Sequence, residues 1–173
     1  NYHYQNRYEF YTDGRFRPVM INLGRGCGND GWYRPVLRIA FSGNMTMATW
    51  TGSDWQTWAT EQWQGPSNLV DPNGYGFRVL AADGQGFAVA PGIGQFGDGG
   101  RGDNPYTYVT RRHPDRNEGD VDLITIGSCC ETHHEQGPEK FIDTPPEPIV
   151  DTQLVFWYVA QMKNDDQPGQ QYC

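Results

Sequence analysis

The sequence predicts an all-β domain, an antiparallel β-sandwich with long Gly/Pro-rich loops, and three observations lead there. Glycine and proline supply 22 and 12 of the 173 residues, and aromatic residues make up 14%. No long stretch repeats its apolar residues at helical spacing, whereas short β-branched and aromatic runs recur between turn residues. Asp-Gly pairs separate two sets of such runs, and this dipeptide supplies the positive φ that a tight hairpin needs. A chain of this length suits one domain and buries roughly 70% of its unfolded surface. Residues 1–173 therefore read as a single sandwich domain.

The elements follow in chain order. Residues 8–11 (YEFY), the turn Asp13-Gly14 and residues 15–21 (RFRPVMI) read as a β-hairpin. Residues 23–31 (LGRGCGNDG) read as a glycine-rich loop, and residues 33–41 (YRPVLRIAF) as a strand with alternating sides. Residues 77–80 (FRVL) and 87–90 (FAVA) are short strands around the Asp83-Gly84 turn. A long glycine loop spans 92–104, followed by a strand at 106–110 (YTYVT). Residues 111–120 form a charged loop, 122–126 (DLITI) a strand, and 127–148 an irregular stretch rich in proline and acid. The most apolar run, 154–159 (LVFWYV), is predicted to be a central buried strand. The expected core comprises Trp157, Phe156, Val155, Leu37, Ile39, Phe41, Val79 and Ile124.

Charge and cysteine content narrow the function classes. A formal charge of −8 argues against nucleic acid, because phosphate binding needs a basic stripe. No run of 18 apolar residues is present, so no helical membrane span is expected. Four cysteines, Cys27, Cys129, Cys130 and Cys173, in an acidic, Trp-rich, β-rich chain predict a secreted or cell-surface protein with disulfides. Asn44-Met45-Thr46 is a glycosylation sequon. Asn1 in first place implies a segment ahead of it, so the chain reads as a fragment or processed piece of a longer precursor.

The N-terminal Asn1-Tyr2-His3-Tyr4, with the strand and Asp-Gly turn after it, resembles the quinone motif of the copper amine oxidase catalytic domain. Residues 106–114 (YTYVTRRHP) and 149–159 (IVDTQLVFWYV) also resemble segments of that domain, in matching order. The resemblance implies part of that β-sandwich and an oligomeric assembly. It places the quinone precursor at Tyr2. In the family, copper is held by a His-x-His pair on a later strand and a third histidine after the late strand. Here those positions hold Tyr33, Pro35 and Asn164, and His3 replaces the usual acidic residue of the motif. Imidazoles suit Cu(II), and neither tyrosine, proline nor asparagine replaces them. The expectation is therefore no cofactor and an unmodified Tyr2. Copper and topaquinone enter only under an alternative with unusual ligands, drawn from His3, His113, His133 and His134.

Other constellations are read beside their structural explanations. His133 and His134 are adjacent, so in a strand they point to opposite faces. Asp98 and Asp103 could serve calcium, but Asp and Gly in that loop also simply build turns. Arg101-Gly102-Asp103 matches an adhesion tripeptide that arises easily by chance. Asp115, Glu118, Asp120 and Asp122 read as a solvated loop and strand edge. Trp50, Trp55, Trp58 and Trp63 could stack on sugars, or could pack the core. The GIGQFG run lacks a βαβ context and reads as a loop.

Three functions are carried forward. The first is a non-catalytic, secreted, copper-amine-oxidase-like subunit with a structural, assembly or binding role. It would act in a homo-oligomer or larger extracellular assembly, or with the upstream part of its own precursor. The second is a copper/topaquinone amine oxidase using Tyr2. The third is a glycan-binding module using the tryptophans.

Overall fold

The computed structural model describes residues 2–25, 31–92, 103–116, 118 and 137–164. Strands β1 (Tyr2–Phe10) and β2 (Phe16–Arg25) form the predicted hairpin, and both run longer than the apolar pattern indicated. The register places Phe10 opposite Phe16 and Tyr8 opposite Pro18. The turn is closed by Tyr11 N–H donating to the Arg15 carbonyl and Gly14 N–H donating to that of Tyr11. Asp13 Oδ1 accepts from Arg15 N at 3.1 Å, while Gly14 takes φ 89°. The same backbone pattern closes residues 81–85 and 71–75, with Gly84 and Gly74 at positive φ. One local rule thus makes three turns.

The strand expected at 33–41 is broken. β3 (Gly31–Tyr33) stops at Arg34-Pro35, and β4 (Val36–Trp50) starts after it. Proline lacks the N–H for a ladder and restricts the residue before it, which explains the stop. β4 then continues well past Phe41. β5 (Trp55–Thr57), β6 (Gln62–Gln64), β7 (Phe77–Leu80), β8 (Gly86–Val89), β9 (Tyr106–Arg111) and β10 (Thr152–Val159) join it. They form one antiparallel sheet in the order β6-β9-β10-β4-β7-β8, with β5 also pairing β4. β11 (Met162–Asn164) pairs β3 separately.

β4 serves two neighbourhoods, which gives the fold its sandwich-like core. Its first part pairs β10, and its last part pairs β5 and β7. Between these parts the register slips: Gln153 faces Asn44, whereas Val155 faces Ala40. Gln153 Nε2 donates to the Ser42 carbonyl that the slip leaves over, at 2.8 Å. β10 alternates between two apolar clusters. Leu154 and Phe156 pack with Met45, Met47, Trp58, Phe77, Val79, Val109 and Ile149. Val155, Trp157 and Val159 pack with Tyr108, beside Tyr106 and Phe141. Phe141 lies on a single 3-10 turn, Pro138–Phe141, and stacks on Trp157 with 5.2 Å between centroids.

The core prediction holds for Trp157, Phe156, Val155 and Val79, all buried. Ile39 and Phe41 are only partly buried, packed against the first cluster, and Leu37 is also half-buried. The deeper positions on β4 are Met45 and Met47, which polar neighbours hid in the sequence. The predicted strand 122–126 with Ile124, and Cys27, Cys129, Cys130 and Cys173, lie outside the described residues.

Candidate functional site

The densest polar constellation sits where β9 ends and the chain approaches β10. Its organiser is Glu61, 2% exposed. Oε1 accepts from the Arg111 amide at 2.8 Å, and Oε2 accepts from those of Asp143 and Glu147 at 2.8 and 3.2 Å. Glu61 N–H donates to the Glu147 carbonyl, Ile149 N–H donates to that of Ala59, and Thr60 bridges Pro148. The proline-rich segment 142–149 is thereby fixed against β9. Buried carboxylates require such donors, and here three backbone amides supply them.

On this support stand three potential metal ligands. His113 Nε2 lies 2.6 Å from Glu147 Oε2 and 3.7 Å from Asp143 Oδ2. One ligand atom from each residue falls within 4.8 Å of the other two. Arg116 donates from Nη1 to Asp143 Oδ2 at 2.8 Å and stands 3.7 Å from Glu118 Oε1. Asp143 raises the Arg116 pKa chiefly through that hydrogen bond. Glu118 is 3% exposed, and neither carboxylate oxygen has a hydrogen-bond partner among the described residues. Burial raises its pKa, against the opposing pull of His113, Arg116 and Arg38. The expectation of a solvated acidic loop is thus corrected for Glu118, which folds inward beneath Arg116, while Asp115 is exposed as expected. Asp120 and Asp122 lie outside the described residues.

A second feature is a groove of about 700 Å³ between the hairpin and the sheet. Tyr8, Phe16 and Val19 line one wall, and Ile39, Phe87 and Phe156 the other. Strand alternation puts Tyr8, Phe10 and Phe16 on one face of the hairpin and Val19 and Ile21 on the other. Val19 and Ile21 are buried, whereas the aromatic face is exposed, with Phe10 at 80% and Phe16, which meets Phe87 edge-on, at 42%.

The remaining sequence candidates separate as follows. Tyr2 lies in β1 with its backbone opposite Arg25, and exposed His3 faces Gly24. Tyr4 meets Tyr33 edge-on at 5.6 Å between centroids, and β3 pairs β11 through Tyr33–Met162 and Gly31–Asn164. The strand with the tyrosine motif therefore lies beside the strands holding the expected copper positions. Those positions carry Tyr33, Pro35 and Asn164, whose side chains offer no imidazole, so they do not fit a Cu(II) centre. Of the four histidines, only His113 joins a metal-ligand group among the described residues, while His133 and His134 lie outside them.

Trp58 is 3% exposed and belongs to the core, so it has no face for a ligand. Trp50 and Trp55 meet edge-on, and Arg78 covers the Trp55 ring at 4.6 Å. Trp63 is 42% exposed but stacks one face on Tyr108 at 5.9 Å. The four indoles form no shared platform. Asn44 is exposed on β4, where a glycan has room. Asp103 Oδ2 accepts from Gly92 N–H and Tyr158 O–H, at 2.7 and 2.8 Å, so this carboxylate closes its loop. Asp98, Arg101 and Gly102 lie outside the described residues.

Sequence reasoning missed Glu61, Asp143 and Glu147. The available signal was an acid at each end of a proline-rich run, DTPPE, close before the central strand. No family model matches the chain, and neither a curated protein nor a solved structure matches it.

Proposed function

We propose that the chain is a non-catalytic, secreted or cell-surface assembly subunit, of copper-amine-oxidase-like ancestry, that associates with a second copy of itself through the β1–β2 hairpin. The carrying observation is the exposed aromatic face of Tyr8, Phe10 and Phe16. Contiguous exposed aromatics on a soluble protein mark an interaction surface. Charge points to a like partner. The hairpin carries Arg7, Arg15, Arg17 and Arg25 against Glu9 and Asp13, whereas the whole chain carries −8. A hairpin of net positive charge on an acidic molecule is complementary to the rest of another copy. Such a contact joins unlike surfaces and closes into a ring or extends as a chain.

The ancestry reading draws support from the order of matching segments and from the proximity of β1, β3 and β11. The non-catalytic reading draws support from side chains that do not suit copper at the three positions the resemblance gives to its ligands.

Sedimentation of the wild type and of a Tyr8→Ser/Phe10→Ser double variant tests the proposal. The wild type is expected to associate and the variant to run as a monomer with the same circular dichroism. A monomeric wild type at high concentration would overturn the assembly reading. Intact-mass measurement of the N-terminal peptide checks the other half, where a quinone in place of Tyr2 would restore the oxidase.

A further inference from the structure

We propose that His113, Asp143 and Glu147 bind a divalent transition-metal ion of the zinc class, at the junction of β9 with the proline-rich segment. This site is separate from the tyrosine motif and does not rest on the assembly reading.

Three observations carry it. The first is convergence: His113 Nε2 and one carboxylate oxygen each from Asp143 and Glu147 lie within 4.8 Å of one another. A tetrahedral zinc shell with bonds of about 2.0–2.1 Å puts its ligands roughly 3.3 Å apart. The 2.6 Å and 3.7 Å separations from His113 bracket that value, so small side-chain shifts suffice.

The second is preorganisation. Glu61 holds the backbone amides of both Asp143 and Glu147, and His113 follows β9 directly. Ligands mounted on fixed backbone lose little freedom on binding. All three side chains remain partly exposed, so an ion can enter.

The third is an imbalance of charge. Asp143 and Glu118 flank Arg116 at 2.8 and 3.7 Å, Glu147 adds a third carboxylate at His113, and Glu118 is buried without a hydrogen-bond partner on either oxygen among the described residues. A buried carboxylate left this way is costly and calls for a cation nearby. Arg116 is engaged by Asp143 yet stands only 3.7 Å from Glu118. A metal ion taking over Asp143 releases Arg116 to pair with Glu118, so a single ion satisfies both carboxylates. One imidazole with two carboxylates matches the donor preference of zinc, with a fourth position left to water. Calcium prefers oxygen donors alone and takes more of them, so it is the weaker occupant.

Zinc titration of chelator-stripped protein by calorimetry, paired with thermal melts, tests the site. The wild type should bind one ion per chain and melt at higher temperature with zinc. His113→Gln and Glu147→Gln should each weaken zinc by about tenfold or more, since loss of even an indirect partner of a metal ligand costs that much. Should either variant fail to fold, Co(II) loading of the wild type gives a second reading, through the visible band of a four-coordinate ion. Wild-type protein that binds no zinc would overturn the proposal, as would zinc affinity unchanged by both substitutions. The latter result would place the ion on other residues of the chain.

Discussion

Hairpin β1–β2 and strand β10 are both antiparallel and both rich in aromatics, yet their rings end in opposite surroundings. Phe10 is 80% exposed, while Trp157 is fully buried, stacked on Phe141 and donating from Nε1 to Thr110 Oγ1 at 3.1 Å. Composition does not separate them. β10 has a strand on each side and a cluster over each face, whereas β1 and β2 pair only with each other and bury one face. Burial is thus a property of neighbours, and an aromatic strand without them presents a surface for a partner.

The largest break in this comparison comes from truncating the buried ring. Trp157→Ala should cost about 3–5 kcal/mol in denaturant unfolding, as expected for a core aromatic, whereas Phe10→Ala should change stability by no more than about 0.5 kcal/mol. Equal costs would mean that the hairpin face is covered within the monomer.

Two glycines sharpen the contrast. A Cβ on Gly86, at φ 153°, would lie 2.0 Å from the Val79 carbonyl across β7–β8. Gly86→Ala should therefore cost about 3 kcal/mol, the upper range for overpacking. Gly14, at φ 89°, has nothing within 4 Å of the added carbon. Gly14→Ala should cost only the left-handed backbone penalty, about 1 kcal/mol. Unfolding curves of the pair check the ranking.

The smallest effect concerns charge. Burial raises the Glu118 pKa in the folded state above its unfolded value. Its contribution is then fully present at acidic pH and is lost as pH rises through the folded value. In chelator, Glu118→Gln should therefore match the wild type at acidic pH and exceed its stability by roughly 1 kcal/mol at neutral pH. A gap independent of pH would mean that Glu118 is compensated.

Local chemistry was legible where it decided the outcome alone. The Asp-Gly turns, the short strands around Asp83-Gly84 and the buried run at 154–159 could be read because each depends on adjacent residues. The length of β4 could not, since Met45 and Met47 alternate with Asn44 and Thr46. Their burial depends on β7 and on Trp58, which come later in the chain. His113 was visible as a possible ligand. Its partner Glu147 was not, because 34 residues separate them and only the Glu61 contacts bring them together. Glu118 misled because a run of acids ordinarily signals solvent, whereas its side chain is buried 3.7 Å from Arg116.

Glu61 also carries a consequence for the order of folding. Its three amide partners lie 50, 82 and 86 residues along the chain. Contacts at such separation incur their loop-closure entropy before they return any stability, so they complete late. The β4–β10 pairing closes a longer loop still, with Val36 opposite Val159. In the native state the Ile149 N–H donating to the Ala59 carbonyl, the Glu61 N–H donating to that of Glu147 and the Arg116–Asp143 ion pair hold segment 142–149 alongside the Glu61 carboxylate. The ligand trio around His113 is therefore assembled only once chain segments far apart in sequence have met, and Glu61 then holds it in place.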